Sequence, residues 1–404
     1  MLELIHKYDG AFRISYSISG TALEQFQQYV PEVVHSFQRL ADTGSVEFLG
    51  ETFAHSLASL RDNDEFIRQI TQHKHAIHEL FGQLPFTFRN SELIYSDTIG
   101  ETVAGLGFHT MLAEGAKHVI GWKSPNYIYC NNLNPKLKVL LRNFHLSDDI
   151  TFRFSNHSWS EWPLTAQKFT GWLNNFPEPE EVVNIFIDYE TIGEHQWKET
   201  GIFEFFRHLP EAILTQSPYI FCTPEQLYNT LQPVSAISAP HAISWADEER
   251  DLTAWLGNEL QDEAFAKLYS LSDKITTIKD PVLLKDWQFL QASNHFYYMC
   301  TKWFSAGEVH KYFNPYESPY EAFINYMNVL SDFIIRLDQY DPGILLTFKP
   351  EISEAAKKPA RRGRPPSSTK KEPAPKTDRT KKEKKTVEKS ETLKQPSQKR
   401  TKKK

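Results

Sequence analysis

The chain has 404 residues, which is long enough for two or three domains, and its 13% aromatic content, including nine Trp, is sufficient for a large core. Residues 354–404 hold 20 of the 45 Lys and Arg but only 6 of the 51 Asp and Glu, so this tail has a net charge of +14 and residues 1–353 one of −20. An acidic body lacks the basic surface that phosphate backbones require, which excludes nucleic acid as its main ligand.

The three cysteines, Cys130, Cys222 and Cys300, are far apart in the chain and form no CxxC pair. They therefore predict neither a disulfide framework nor a zinc site, and are typical of buried thiols in a reducing compartment. The first residues contain no apolar run of signal-peptide length, and no stretch approaches the ~18 apolar residues of a membrane-spanning helix. We therefore expect a cytoplasmic protein that makes no membrane contact.

Strand and helix patterns alternate through the first 240 residues. Alternating or continuous apolar runs predict strands at residues 11–19, 46–50, 86–90, 109–115, 150–156, 182–190 and 219–223. Helical spacing predicts helices at residues 22–44, at 65–82 with Gly82 as the cap, and near 96–106. This alternation favours a parallel sheet, either closed into a barrel or open.

After about residue 245 the chain shows long helical patterns without intervening strands, at residues 245–271, 281–304 and 320–340. We expect these to form a helical bundle on the sheet domain. The Lys- and Pro-rich tail has too few large apolar residues to offset its ordering entropy and is predicted to be disordered. The predicted division is an α/β domain at 1–240, a helical bundle at 241–348 and a disordered tail at 349–404.

Acidic residues follow three of the predicted strands: Glu51, Glu92 and Asp188. In a β/α barrel, the carboxyl ends of the strands form the face that carries active sites. Two carboxyl groups facing one pocket are what glycosidic cleavage needs, because one protonates the leaving oxygen and the other attacks the anomeric carbon or activates water. Acidic residues at strand ends also serve as helix caps and loop anchors. The spacing alone leaves both interpretations open.

Three segments carry a family resemblance: VEFLGETFAHS at 46–56, FRNSELIYSD at 88–97 and FIDYETIGEHQW at 186–197. Together they resemble glycoside hydrolase family 57, specifically its α-amylase-like members, and the resemblance covers roughly residues 1–345. It implies an incomplete β/α barrel of the seven-stranded type followed by a helical bundle, acting on α-1,4-glucans with retention of configuration. It also implies that Glu92 is the nucleophile and that Asp188, in an Asp-x-Glu-x-x-Gly motif, is the general acid/base.

The resemblance implies further substrate contacts along the same face. These are Glu51, His55, Glu190, His195, Trp197, Trp245, Asp247 and His295. The alternative for each Trp is core packing, and for His295 it is a buried core histidine. No cofactor is predicted. No metal site is predicted either, because His73, His75 and His78 do not share one helical face and are interpreted as part of a solvated helix.

Several alternatives stay open at this level. With water as acceptor the enzyme would be an amylase, and with glucan as acceptor a 4-α-glucanotransferase or branching enzyme. A metal-dependent polysaccharide deacetylase would need a clustered Asp/His/His site, which the sequence does not indicate. A non-catalytic glucan-binding relative is favoured by one departure from the family: its first motif, a His-rich strand ending in His-Gln-Pro, does not occur in this sequence.

The departure predicts a barrel without its first strand. The two strands that would flank it would expose unpaired backbone edges, which invite aggregation. We therefore expect the 404-residue form to be poorly soluble or weakly active. In the tail, Arg361, Arg362 and Arg364 lie in an Arg-Gly-Arg-Pro context that resembles an AT-hook, a minor-groove DNA-binding segment. The alternative to this weak nucleic-acid binding is a solubilising basic tail.

Overall fold

The structure is a computed structural model that describes residues 1–302 and 314–340. The described residues form a mixed α/β fold within one compact unit. The strands are short, and five of them are buried along most of their length. Their bounds are β1 (Ile14–Tyr16), β2 (Val46–Phe48), β3 (Thr87–Arg89), β4 (Thr110–Glu114), β5 (Ile128–Asn131), β6 (Lys138–Arg142) and β7 (Ser235–Ile237).

Five strands form one sheet in the order β3-β4-β6-β5-β7, and β1 pairs with β2 in a second ladder. All neighbouring pairs are parallel except β5 and β6. Gly50 joins the two ladders, because its N–H donates to the Thr87 carbonyl at 2.8 Å and its carbonyl accepts from the Arg89 N–H at 2.8 Å. A side chain at Gly50 would meet the ring of Phe108 at 2.6 Å, so the close approach requires glycine.

Helices surround the sheet and extend beyond it towards the C-terminus. Their bounds are α1 (Leu2–Lys7), α2 (Gly20–Tyr29), α3 (Pro31–Asp42), α4 (Asn63–Phe81), α5 (Asp97–Gly105), α6 (Lys117–Ile120), α7 (Phe144–Asp148), α8 (Ala166–Asn174), α9 (Ile202–Gln216), α10 (Pro224–Thr230), α11 (Glu259–Tyr269), α12 (Ser272–Ile275), α13 (Pro281–Leu290), α14 (Ser293–Tyr297) and α15 (Pro319–Asp338). In the part of the chain that the structure describes, no helix combines the length and the apolar composition needed to cross a bilayer.

The largest apolar cluster joins the sheet to the C-terminal helices. It contains Met111 and Val139 of the sheet together with Trp255, Trp287 and Phe333 of the later segments. Because these residues form one continuous core, the helical region is packed directly on the sheet and can contribute side chains to its edge. The region 245–258, predicted as helix, instead forms turns that precede α11.

Helix starts and ends were predicted best where a cap is encoded. Asp62 accepts a hydrogen bond from Glu65 N at 3.0 Å and starts α4, and Gly82, with φ +69°, ends it. The predicted helix at 22–44 is two helices, α2 and α3. Pro31 cannot supply a backbone N–H, and the chain leaves helical geometry at Val30 before α3 begins.

The strand predicted at 150–156 is wrong. Residues Asp149–Arg153 are helical. Ile150 and Phe154, four positions apart, are both buried, whereas Phe152 is 56% exposed. This burial follows helical rather than strand periodicity.

The predictions at 182–190 and 219–223 are also wrong as sheet strands, because neither segment enters a ladder with a described strand. Residues 182–188 run beside the end of β6, held by single hydrogen bonds: Asn143 N donates to Asn184 O at 2.9 Å, and Asn184 Nδ2 donates to Leu141 O at 3.0 Å. The sequence interpretation missed β5, β6 and β7.

The outer edge of β1 borders a large cleft. Among the strands in the described ranges, β1 pairs with β2 only. Residues of β1 and residues 181–188 both line this cleft. The cleft opens at the carboxyl ends of the strands, the edge where sites of parallel sheets form.

Candidate active site

The cleft has a volume of about 2460 Å³. This is large enough for several sugar-sized groups, since pockets for single small ligands are roughly 300–1,000 Å³. Eight of the ten residues predicted for the site line it: Glu51, His55, Glu92, Asp188, Glu190, His195, Trp245 and Asp247. The remaining two, Trp197 and His295, are not among the described residues that line the cleft.

Glu92 lies in a short 3₁₀ turn, Ser91–Leu93, directly after β3. Its backbone is left-handed, with φ +57° and ψ +23°, a conformation that costs a non-glycine residue free energy and recurs at functional sites. The turn is fixed from outside by a 2.7 Å hydrogen bond between the hydroxyls of Thr52 and Ser91. The strained backbone therefore directs the Glu92 carboxylate into the cleft.

Two distant elements donate hydrogen bonds to the Glu92 carboxylate. Ser293 Oγ of α14 donates to Oε1 at 2.7 Å, and Trp245 Nε1 donates to Oε2 at 3.0 Å. Trp245 N also donates to the Glu92 carbonyl at 3.2 Å. Residues after 240 thus supply both donors, one from a turn and one from α14, to a carboxylate that follows β3.

His55 lies between two carboxylates. Its Nε2 is 3.3 Å from Glu92 Oε1, and its Nδ1 is 3.8 Å from Glu51 Oε1. Burial opposes the charged form of His55, but the two carboxylates outweigh it and raise the pKa of the imidazole to about 9. At neutral pH the His55 side chain is therefore a cation that links Glu51 to Glu92.

The same contacts lower the pKa values of the two carboxylates. Burial alone would raise the pKa of Glu92, but the hydrogen bond and charge of His55, the Ser293 hydroxyl and the Arg89 charge lower it to about 2. Burial of Glu51 is likewise outweighed by His55 and Arg89, and the pKa of its carboxyl is also about 2. Both groups are held as anions.

Glu51 is itself anchored on several sides. Ser17 Oγ donates to Glu51 Oε2 at 2.6 Å, and Arg89 Nη1 lies 3.7 Å from the same oxygen. Glu51 N donates to His73 Nδ1 at 3.2 Å, and His73 Nε2 lies 2.8 Å from the Ile18 carbonyl. Because Nδ1 accepts, His73 is neutral, and burial lowers its pKa. The prediction of a solvated His73 is wrong, since the residue is fully buried.

Asp188 lies at the end of the segment that runs beside β6. The residue is solvent-exposed and lines the cleft, although protein atoms surround part of its carboxyl group. Partial desolvation by these atoms raises the pKa of Asp188; the Arg89 charge opposes the rise, and the Glu190 and Glu92 charges add to it. The two carboxyl groups predicted to be catalytic are therefore shifted in opposite directions.

The turn after Asp188 explains the spacing of its motif. Thr191 N donates to the Asp188 carbonyl at 3.0 Å, and Gly193, with φ +113°, adopts a conformation that disfavours other residues. The Glu190 carbonyl accepts from His195 N at 3.0 Å, and Gln196 Nε2 donates to the Thr151 carbonyl at 2.8 Å. The motif thus forms a compact turn anchored to the helical segment that follows α7.

The other predicted residues fall in different places. The Trp245 ring lies against the Arg89 guanidinium, 4.9 Å from the ring centroid, and Asp247 Oδ2 lies 3.7 Å from Lys302 Nζ. Trp197 is 59% exposed. His295 is half-buried; its Nε2 lies 3.0 Å from the Phe289 carbonyl and its ring centroid is 5.3 Å from that of Tyr326.

Sequence reasoning missed Ser17, Arg89 and Ser293 as individual members of the site. Arg89 carried a usable signal, since it is a cation at the end of an apolar strand, three residues before Glu92. Ser293 carried one as well, because it begins the segment 293–298, which resembles the last motif of the family, whereas Ser17 carried none because a hydroxyl has no distinctive sequence pattern. Within the described residues, no three His, Cys, Asp or Glu side chains are arranged so that they could hold a metal ion.

This arrangement suits transfer of a group at an acetal carbon. A carboxylate that stays ionised can attack a carbon centre, and a carboxylic acid with a raised pKa can protonate a leaving oxygen. Glu92 has the first property and Asp188 the second.

Comparison with known proteins gives matches over most of the chain. The family model of glycosyl hydrolase family 57 matches residues 2–240. A protein of Methanocaldococcus jannaschii, provisionally named an alpha-amylase, is 42% identical over 344 residues, which cover 82% of this chain and 72% of the relative.

Solved structures match the fold at low identity. The 4-alpha-glucanotransferase of Thermococcus litoralis superposes with a TM-score of 0.58 at 14% identity, over 73% of this chain and 51% of that one, so this chain spans about half its length. The GH57 branching enzyme of Thermococcus kodakaraensis gives a TM-score of 0.57 at 13% identity, over 81% of this chain and 74% of that one. At these identities the likeness establishes a common mixed α/β fold.

Proposed function

This chain belongs to glycosyl hydrolase family 57, and from that premise we propose that it breaks α-1,4 links of glucans by a retaining double displacement, with Glu92 as nucleophile and Asp188 as general acid/base. The resemblance predicted from three motifs is confirmed at the level of the family, and the chain is a glycoside hydrolase. The reaction steps and the residue roles are the proposal.

One observation carries the proposal: the two carboxyl groups at the cleft have their pKa values moved apart. The His55 cation, Ser293 and Trp245 hold Glu92 as an anion, whereas partial desolvation raises the pKa of the cleft-lining Asp188. Such a divergence is the general signature of paired acid and nucleophile roles. A binding protein for a neutral glucan has no need of it.

The steps follow from these states. Asp188 gives its proton to the glycosidic oxygen while Glu92 Oε attacks the anomeric carbon, so that the C–O bond breaks and a glycosyl ester forms. The leaving chain departs with its new hydroxyl. Asp188, now a carboxylate, removes a proton from the acceptor hydroxyl as this oxygen displaces Glu92. Two inversions at one carbon restore the original anomeric configuration.

The acceptor decides between hydrolysis and transfer. The large cleft supports binding of several sugar units, and the fold is shared with a glucanotransferase and a branching enzyme. Both outcomes use the same two carboxyl groups, so we propose hydrolysis as the primary reaction and 4-α-glucan transfer or branching as the alternative.

A product assay on maltoheptaose separates these reactions. Shorter products only indicate hydrolysis, longer oligomers indicate transfer, and new α-1,6 links indicate branching. Proton NMR of the first product is expected to show the α-anomer. An initial β-anomer would contradict the double displacement, and no product from folded, glucan-binding protein would favour the non-catalytic alternative. Glu92→Gln serves as the matched inactive control.

We also propose a finer architecture than the shared fold requires. The strand order across both ladders and the outer edge of β1 at the cleft support an incomplete barrel of the seven-stranded type. The division into an α/β domain at 1–240, a helical bundle at 241–348 and a tail at 349–404 remains a prediction.

A further inference from the structure

The guanidinium of Arg142, at the end of β6, contacts three groups. Nη1 lies 3.1 Å from Glu114 Oε2, Nη2 lies 2.7 Å from Asp148 Oδ1, and Nε donates to the Phe186 carbonyl at 2.8 Å. Arg142 and Glu114 are buried, and Asp148 is nearly so. A planar guanidinium fixes such partners in relative orientation, which the ammonium of lysine does not.

Arg250 completes the cluster from the other side. Its Nη2 lies 3.1 Å from Asp148 Oδ2 and its Nη1 lies 3.7 Å from Glu114 Oε2. Nη1 also donates to the Trp245 carbonyl. The Arg250 backbone is left-handed, with φ +54°, and its carbonyl accepts from Ser244 N at 3.1 Å. We refer to Glu114, Arg142, Asp148 and Arg250 as the ion network.

The ion network touches the backbone on both sides of the site. Phe186, bound by Arg142, lies two residues before Asp188 in the same segment. Trp245, bound through its carbonyl by Arg250, donates through its indole to Glu92 at 3.0 Å. The Arg142 guanidinium also lies 5.8 Å from the centroid of the Trp245 ring. One charge-balanced cluster therefore reaches both segments that carry the proposed reaction.

Stability alone is a weak explanation for this cluster. Desolvating two cations and two anions is costly, and apolar residues of similar volume often replace buried ion pairs with no loss of stability. Ion pairs with fork geometry do, however, fix orientation tightly. A small displacement of a reacting group can reduce a rate by about 100-fold.

We propose that the ion network is a positioning device, in which Arg142 fixes the segment of Asp188 and Arg250 fixes the Trp245 that binds Glu92, so that together they set the relation of the two carboxyl groups. The inference rests on the proposed function. It goes beyond it by assigning Arg142 and Arg250, which also line the cleft, a role exerted through the segments of Asp188 and Trp245.

Two substrates distinguish the effect of Arg142 on the Asp188 segment from the effect of Arg250 on Trp245 and Glu92. We call these the two arms of the ion network. Maltodextrin needs protonation of its leaving oxygen, whereas α-maltosyl fluoride releases fluoride without an acid. Arg142→Lys is expected to lower kcat on maltodextrin by about 100-fold, with a much smaller loss in first-turnover fluoride release. Arg250→Lys is expected to lower both to a similar extent, because it acts on the nucleophile side. KM is expected to change little in either variant.

The matched control is Arg207→Lys, which alters an exposed pair with Glu204 away from the cleft. It is expected to match the wild type on both substrates. If Arg142→Lys does not fold, as judged by thermal unfolding, Asp148→Asn keeps the shape and weakens both arms, and is expected to lower kcat on both substrates.

The outcomes separate this inference from the proposed function. An active wild type with variants within twofold of it, or variants whose losses lie wholly in KM or in the folded fraction, would overturn the positioning role and leave the proposed function standing. A folded wild type that turns over neither substrate would instead refute the proposed function and, with it, the role of the network.

Discussion

The two sides of the cleft are built differently. On one side Glu92 sits in a strained turn and is bound by Ser293, Trp245 and His55, each from a different part of the chain. On the other side the solvent-exposed Asp188 ends a segment that forms no ladder with the described strands, and partial desolvation by nearby protein atoms, rather than a set of hydrogen-bond donors, dominates its pKa.

The contrast follows from what each group must do. A nucleophile is an anion until it attacks, so permanent donors and a neighbouring cation can surround it in the free enzyme. An acid/base must hold a proton in one step and lose it in the next, and donors directed at it would keep it ionised. The backbone of the Asp188 segment is therefore anchored, through Asn184 and Phe186, rather than its carboxyl.

The largest expected effects come from removing the two carboxyl groups. Glu92→Gln is expected to lose at least about 10⁴-fold in turnover on maltodextrin and on α-maltosyl fluoride, because both need the nucleophile. Asp188→Asn is expected to lose about 10³-fold on maltodextrin but to retain a rapid burst of fluoride, since only its second step needs a base. Stopped-flow fluoride detection measures the burst. Identical behaviour of both variants would remove the distinction between the two sides.

A smaller effect is expected from the cation between the carboxylates. His55→Gln removes the positive charge that lowers the pKa of Glu92, so this pKa rises and Glu92 is protonated at higher pH. We expect kcat/KM to fall by roughly 10- to 100-fold at neutral pH, with the acidic limb of the pH profile displaced upward. His295→Gln, outside the cleft, is the control. An unchanged acidic limb in His55→Gln would show that His55 does not tune Glu92.

The positive charge of His55 also makes the stability of the folded chain depend on pH. The folded pKa of His55, about 9, lies above its ordinary value, so its stabilisation is complete below about pH 6.5 and is lost as the pH rises through 9. The wild-type Tm is therefore expected to fall between pH 7 and 10 by more than that of His55→Gln. Differential scanning calorimetry measures the difference, and parallel profiles would contradict the charged state assigned to His55.

The smallest expected effect concerns the basic tail, which lies outside the described residues together with Arg361, Arg362 and Arg364. A segment of net charge +14 offers a neutral glucan no specific contact. Truncation after residue 348 is expected to leave kcat and KM on maltodextrin unchanged and to remove any salt-sensitive retention on DNA. A tenfold loss of kcat/KM would instead link the tail to the site.

The sequence indicated the site best where a local pattern records a local constraint. Glu92 and Asp188 follow apolar segments at the same edge of the fold, and Gly193 occupies a turn that needs positive φ. The sequence alone could not show that Ser293 and Trp245 contact Glu92, because these residues lie 201 and 153 positions from Glu92 in the chain.

The errors in predicting strands from the sequence have a common physical origin. Lys138 and Arg142 limit the apolar run of β6 to three residues, and only the folded chain shows that Lys138 donates to the Tyr228 and Leu231 carbonyls and that Arg142 joins the ion network. At 150–156, by contrast, alternating apolar residues concealed a helical burial of Ile150 and Phe154. Charges satisfied by distant partners and short ambiguous patterns are what single-sequence reasoning cannot decode.

The most direct test of the account is to trap the covalent intermediate. A 5-fluoro-α-glycosyl fluoride reacts with a retaining enzyme to leave a slowly hydrolysed ester, whose site is read by peptide mass spectrometry. The account predicts one sugar adduct on the peptide that carries Glu92, absent from Glu92→Gln and accumulating further in Asp188→Asn. An adduct on Asp188 or another carboxylate, or turnover without any adduct and with an inverted product, would contradict it.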